Sequence, residues 1–357
     1  MIDMNKKITF SFVVLCTLFF FGGLTAQQSN IWSAEKANNW YKSQGWLVGA
    51  NFLPSTAINQ LEMFQADTFD PATIDRELSW AAAIGMNTMR VYLHDLAWKA
   101  DAAGFKKRMD EFLSIATKNK IKILFTIFDD CWNPDAAIGL QPAPKPGIHN
   151  SGWVRSPNKA THNDATDWKY LEAYVKDILG SFKNDKRILM WDLYNEPGNS
   201  DYGLASMPLL KKVFEWAWTV RPNQPITAAA WGSNKVIDEY LLKNSDVITI
   251  HNYSDAANLE KELQQRLKLG RPVICSEYMA RTRGSKFQTH LPIFKKYNVG
   301  AINWGLVAGK SNTIYQWDTP IPDGSEPKIW FHDIFRKEGS AYDSAETGVI
   351  KSLTSTK

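Results

Sequence analysis

One pattern constrains this chain more than any other. From residue 46 onward, short runs of apolar and β-branched residues recur eight times, at 46–52, 87–93, 121–128, 187–194, 225–230, 246–251, 272–277 and 300–304. Helix-period apolar residues fill several intervals between them. Ile74, Leu78, Ala81, Ala82 and Ile84 precede Gly85, with Asp70-Pro71 as a start signal. Trp168, Leu171, Tyr174, Val175, Ile178 and Leu179 form a second set, and Leu209, Val213, Trp216 and Ala217 a third. Near-continuous apolar strands alternating with helices predict a parallel sheet buried on both faces. Eight such units predict an α/β fold of one kind, a single (β/α)8 barrel. An open doubly wound sheet is the alternative, but no G-x-G-x-x-G follows a strand.

The first 26 residues do not fit this rhythm. Lys6 and Lys7 precede an apolar run from residue 8 to 21, and small residues follow up to Ala26. That order reads as a secretory signal peptide. The run is short of the roughly 20 residues that span a bilayer. The expected mature protein is therefore residues 27–357, one catalytic domain, exported to a periplasmic or extracellular space and without a membrane span. An uncleaved anchor is the competing reading. The tail after Phe335 is polar and is expected to fray.

Composition removes other classes. The chain has 357 residues and a net charge of +4 without a basic cluster, so nucleic acid is not an expected partner. Three Cys exclude a disulfide framework and a Cys-rich zinc site. An oxidising compartment permits a Cys131–Cys275 bridge, but nothing in the sequence indicates one. The unusual count is 15 Trp.

Chemistry-bearing residues gather at the C-terminal ends of the runs, the face where barrel enzymes build their sites. Arg90 and His94 follow the second run, Asp129 and Asp130 end the third, and Asn195 and Glu196 end the fourth. His251 and Tyr253 follow the sixth, Glu277 ends the seventh, and Trp304 ends the eighth. Runs four and seven lie roughly opposite each other in an eight-strand ring. Glu196 and Glu277 are thus placed to face one another across its mouth. Paired carboxylates across a cleft are what glycoside hydrolysis needs: one protonates the leaving oxygen, the other attacks the sugar or activates water. Two long Pro-containing connections, 129–166 and 306–328, leave the third and eighth runs on the same face.

With these residues in view, the chain resembles the clan A retaining glycoside hydrolases, and within them the cellulase-like family five and its relatives. The segment Leu193-Tyr194-Asn195-Glu196-Pro197 is similar to that clan's Asn-Glu-Pro, and Ser276-Glu277-Tyr278 to its nucleophile strand. His251-Asn252-Tyr253 is similar to its His-x-Tyr, and Arg90 and Trp304 to its strand-two Arg and strand-eight Trp. The resemblance implies Glu196 as acid/base and Glu277 as nucleophile. Arg90, Asn195, His251, Tyr253, Trp304, Asp129 and Trp132 are expected to contact substrate. The implied partner is a β-linked polysaccharide or oligosaccharide such as a mannan, glucan or xylan. The enzyme is expected to act as a monomer with no cofactor or metal. Where the family carries a His after strand three, this chain has Asp129-Asp130-Cys131-Trp132-Asn133, so different sugar contacts are expected there, and the Pro-rich loop that follows is a candidate wall at one end of the cleft.

Other readings stand beside these. An exo-acting β-glycosidase such as a β-mannosidase, or a barrel that binds carbohydrate without turnover, would use the same frame. Arg90 also suits a core ion pair with Asp192, Asp130 suits a turn cap, and His94 suits loop packing. Asp129 and Asp130 with His94 or His251 would make a metal set, but no H-x-H or H-E-x-x-H spacing supports it. Cys275 alternates in phase with Glu277 and is expected to point into the barrel as a small core residue. Trp80, Trp168, Trp216 and Trp218 lie in helical patterns and belong to packing. Trp132, Trp153, Trp231, Trp304 and Trp317 fall on strand ends or loops, and are expected to line a cleft with Trp304 as its floor.

Overall fold

All eight apolar runs contribute a strand in the computed structural model, which describes residues 30–232 and 234–355. Residues 1–26, expected from the sequence to be a signal peptide, lie outside the described residues. The strands are β1 (Val48–Asn51), β2 (Thr88–Tyr92), β3 (Lys122–Asp129), β4 (Ile188–Asn195), β5 (Ile226–Thr227), β6 (Ile248–His251), β7 (Val273–Glu277) and β8 (Gly300–Asn303). Every ladder between them is parallel, in the order β5-β4-β3-β2-β1-β8-β7-β6. The remaining gap is bridged at Ala230–Ile250, where Ala230 N–H donates to Thr249 O at 3.0 Å. The eight strands thus form a nearly closed barrel, and the chain is a (β/α)8 protein. The fifth run pairs only briefly with β4, because its residues 228–230 leave that ladder to reach β6.

Helices cover the outside of the sheet. Pro71–Ala83 starts at Asp70, whose carboxylate accepts the Thr73 N–H, and buries Ile74, Leu78 and Ala81. Such a cap supplies one of the acceptors the first turn lacks. The helix Trp168–Phe182 buries Leu171, Val175 and Ile178 in the same way. Inside the barrel, Leu124, Met190, Ile274 and Ile302 form an apolar floor. Tyr41, from the helix Ala34–Lys42 ahead of β1, joins that cluster. Above the floor the interior turns polar, with Asn51, Arg90 and Asp192 all buried. Buried polar groups are costly unless they are bonded, and their bonding builds the site.

Two sequence expectations are corrected. Cys275 belongs to the cluster between sheet and helices, not to the barrel interior, where Ile274 lies instead. The alternation argument failed because the β6–β7 register shifts between Ile250 and His251, pairing Ile250 with Cys275 but His251 with Glu277. That irregularity lets Glu277 reach the mouth although Cys275 faces outward. The tail after Phe335 does not fray. It ends in a helix, Ser344–Thr354, that buries Ile350 and ties Glu346 to Arg281 at 2.6 Å.

Candidate active site

Glu277 ends β7 and is held by three donors, two from β2 and one from just past β6. Arg90 Nη1 donates to its Oε1 at 2.6 Å, and the Tyr92 hydroxyl donates to the same oxygen at 2.9 Å. The Tyr253 hydroxyl donates to Oε2 at 2.8 Å. Arg90 is fully buried and is itself fixed. Its Nε and Nη2 donate to Asp192 Oδ2 at 2.9 and 2.6 Å, and its Nη1 donates to Asn51 Oδ1 at 2.9 Å. A guanidinium with its donors all occupied cannot swing away. Arg90 therefore both forms the core pair with Asp192 and supports Glu277.

Glu196 stands one residue beyond β4 with φ of +42°, a backbone state uncommon for a residue with a side chain. Asp130 anchors the turn that holds it, accepting the Gly198 N–H at 2.8 Å and hydroxyls of Ser206 and Tyr194. His251 Nδ1 lies 2.8 Å from Glu196 Oε1, while Asn199 Nδ2 and the Cys131 thiol donate to Oε2 at 2.5 and 3.3 Å. Burial works to raise the Glu196 carboxyl, but the His251 bond and charge, helped by Cys131 and Asn199, outweigh it and hold the group below its usual range. Oxygens of Glu196 and Glu277 and a ring nitrogen of His251 all lie within 4.8 Å of one another.

Asn195 is clamped at both ends of its amide. Its Oδ1 accepts from Arg90 Nη2 at 2.7 Å, and its Nδ2 donates to Asp129 Oδ1 at 2.8 Å. Asp129 is thereby corrected as a sugar contact. It is buried and accepts from Asn195, the Cys131 N–H and Trp153 Nε1, so its oxygens face the protein rather than the cavity. Burial, opposed by those bonds, pushes its carboxyl up to about 7. Arg90 likewise sits behind Glu277, not against the cavity. His94 packs a loop: its Nδ1 accepts the Leu96 N–H, and its Nε2 lies 3.0 Å from Arg155 O.

A cavity of about 510 Å³ opens between the two carboxylates. Asn195, Glu196, His251, Tyr253 and Glu277 line it. So do all five tryptophans assigned to the reactive face, Trp132, Trp153, Trp231, Trp304 and Trp317. Trp304 packs edge-on against Tyr92 and Trp153 with ring centres 5.8 and 5.6 Å away. Trp132 is 37% exposed and Trp304 9%, so one forms a rim and the other a floor. The helical tryptophans Trp80, Trp168, Trp216 and Trp218 pack on the core. Both cysteines are free. In place of the absent His after β3, the loop brings Cys131 between Asn195 and Glu196, with Asn195 Nδ2 3.3 Å from its sulfur.

Sequence reasoning missed Tyr92, Asn199, Cys131, His149 and Asn150. Tyr92 was visible as a tyrosine two residues after Arg90, on the same strand face. The others sit on loops whose course no periodicity reveals.

A nearly closed parallel barrel with two carboxylates across its mouth and an aromatic cavity between them is the architecture of a glycoside hydrolase. Residues 54–310 match the family described as cellulase (glycosyl hydrolase family 5), and the chain belongs to that family. No curated protein matches the sequence. Among solved structures, the fold is similar to a β-mannanase from the blue mussel Mytilus edulis, at 17% identity over 73% of this chain and 86% of that one, with a TM-score of 0.53. It is also similar to an endo-β-1,4-mannanase from Thermotoga petrophila (13% identity, 88% and 77% covered, TM-score 0.56). An exo-β-1,4-mannosidase from Opitutaceae bacterium strain TAV5 is a third (16% identity, 86% and 59% covered, TM-score 0.58).

Proposed function

We propose that this glycoside hydrolase cleaves β-mannosidic or closely related β-linked chains with retention, by double displacement. The observation that carries the reading is the pair itself. Oxygens of Glu196 and Glu277 approach within 4.8 Å, on opposite walls of one cavity and in different surroundings. Retention needs carboxyls about 5–5.5 Å apart, whereas a gap of roughly 6.5 Å or more leaves room for a water between them. The sugar class follows the mannanase and mannosidase relatives of the fold.

In the first step Glu277 attacks the anomeric carbon. Its Oε1 is taken up by Arg90 and Tyr92, which leaves Oε2, bonded to Tyr253, as the attacking oxygen. The carbon–oxygen bond to the leaving chain breaks as Glu196 gives that oxygen a proton. Glu196 Oε1 lies 2.8 Å from His251 Nδ1, a contact that orients the carboxyl toward the leaving oxygen. In the second step Glu196 takes a proton from water, the water oxygen bonds to the carbon, and Glu277 leaves. Asn195 and His251 meet the hydroxyl edge of the sugar, while Trp304 lies under its apolar face. Arg90 and Asp129 position Glu277 and Asn195.

Export accompanies this reading, supported by the basic start and apolar run of residues 1–26. No described helix is long and apolar enough to cross a membrane. The enzyme is proposed to act as a monomer.

The test is a panel of aryl β-glycosides and soluble mannan, glucan and xylan, followed by a 2-deoxy-2-fluoro glycoside. Covalent labelling of Glu277, with retained configuration in the first product, is expected. Tight sugar binding without label or turnover would instead make the chain a binding barrel.

A further inference from the structure

One side of the cavity is walled by three loops that are stitched together. The loops leaving β1, β3 and β8 meet above β1 and β2, the strands lying between β3 and β8 in the ring. Asn150 N–H donates to Ser311 O at 2.9 Å, and Ile321 N–H to Gly147 O at 3.1 Å. Asn312 Nδ2 donates to Lys145 O at 2.9 Å, again joining the β8 loop to the β3 loop. Lys310 N–H donates to Ser55 O at 3.1 Å, and Asn59 Nδ2 to Gly152 O at 2.8 Å, which ties in the β1 loop. At Gly147 a Cβ would fall 1.7 Å from Ile321 O, so the two backbones touch directly. The opposite side is built differently. Only residues 228–234 separate β5 from the helix Lys235–Asn244, and 252–255 separate β6 from the helix Ala256–Leu267.

The wall also carries unpaired polar atoms. His149 and Asn150 line the cavity and are only 2% and 1% exposed. Among the described residues, His149 Nε2 and Asn150 Oδ1 have no hydrogen-bond partner. His149 Nδ1 lies 2.9 Å from the Tyr315 carbonyl, which only accepts, so Nδ1 carries the hydrogen. Burial holds the ring down to about 4, which keeps it neutral and makes Nε2 an acceptor. Two buried acceptors left unmatched are costly, and hydroxyl donors from a ligand would satisfy both. Trp132 and Trp317 flank His149 at ring-centre distances of 5.5 and 6.4 Å.

The direction of the substrate chain follows from the proposed roles of Glu196 and Glu277, on which this inference rests. The leaving chain departs beside Glu196, at the end of β4, where Trp231 Nε1 donates to Pro197 O at 3.2 Å and its ring lines the cavity. That is the side with short loops. The rest of the sugar chain then points at the stitched wall. We propose that the enzyme is exo-acting: the wall stops the chain, and His149 and Asn150 accept hydroxyls of its non-reducing terminal sugar.

The test uses the full-length enzyme with β-1,4-manno-oligosaccharides labelled at the reducing end, and soluble mannan. Labelled chains are expected to shorten stepwise from the unlabelled end, releasing one short product, while mannan viscosity barely falls early in the reaction. A spread of internal cleavage products with a rapid viscosity drop overturns exo action and leaves the hydrolase reading standing. Inactivity toward every manno-, gluco- and xylo-configured substrate overturns the hydrolase reading and this one with it. His149→Ala and Asn150→Ala, each checked for an unchanged unfolding midpoint, should raise KM on oligosaccharides roughly tenfold with kcat within about twofold. An unchanged KM in folded variants overturns the terminal-sugar assignment.

Discussion

Glu277 and Glu196 share one cavity, yet they are supported on opposite plans. Glu277 belongs to strand β7, and among its donors Arg90 is locked by further bonds to Asp192, Asn51 and Asn195 while Tyr253 packs edge-on against Trp317. Glu196 stands just past its strand at positive φ, on a turn pinned by Asp130, and its main partner is a titratable imidazole. The difference suits the two roles proposed for them. A nucleophile must keep its charge and aim, which fixed donors secure, whereas an acid/base must exchange a proton with the reacting oxygen, so its surroundings must suit both its charged and its neutral form.

Removing each carboxylate is the largest break in that comparison. Glu277→Gln should abolish turnover of every substrate, with a loss of roughly ten-thousandfold or more in kcat. Glu196→Gln should depend on the leaving group. The loss should be roughly a hundred- to ten-thousandfold on oligosaccharides but slight for the first step on dinitrophenyl glycosides, which need no proton. Burst kinetics on the two substrate classes separates the cases. Equal losses on both would make the two carboxylates interchangeable and end the assignment.

The scaffold under Glu277 comes next. Arg90→Leu leaves Asp192 and Glu277 buried without their cation, and breaking such a buried pair costs about 3–5 kcal/mol. Urea unfolding should show that loss, alongside a collapse of kcat. A variant as stable as the parent would mean that the pair contributes position only.

A smaller effect concerns Asp129, which steadies Asn195 rather than Glu277. Its folded carboxyl lies at about 7, above the usual 3.8, so the folded state holds the proton more tightly than the unfolded chain does. The stability this contributes is full below about pH 4 and is lost as the pH rises through 7. The unfolding midpoint should therefore be higher at pH 5 than at pH 8, and Asp129→Asn should reduce that slope. A slope unchanged by the substitution would place the titration elsewhere.

What was legible in the sequence tracks this contrast between regular and irregular support. Both carboxylates and the strand-end residues around them were readable, because strand ends are fixed by an apolar pattern that had to be buried. The same pattern failed at Cys275, where one register shift reversed the faces. It failed again at Asp129, where the count of available donors, not the strand position, decides which way the oxygens turn. His149 and Asn150 were unreadable because the loop bearing them is held by backbone contacts to distant loops, and such contacts leave no periodic trace. The tail helix was missed for a related reason. Only Ile350 is a fully buried apolar residue in it, and polar contacts such as the Arg281–Glu346 ion pair add to the attachment.

The smallest expected effect sharpens the comparison most, because of the two carboxylates it bonds only Glu196. Cys131 donates its thiol hydrogen to Glu196 Oε2, alongside Asn199, while His251 holds Oε1 and Glu277 lies within 4.8 Å. That thiol bond helps hold the Glu196 carboxyl below its usual range, after the larger influences of burial and His251. Cys131→Ala removes a donor that favours the ionised form, so Glu196 should keep its proton to higher pH. The alkaline limb of kcat/KM, where the acid loses that proton, should move up by less than about one unit. Cys131→Ser supplies a stronger donor at the same place and should move the limb down instead. Opposite shifts from two substitutions of similar size cannot come from packing. If both move the limb the same way, or neither moves it, the thiol contributes shape to the turn and nothing to the proton.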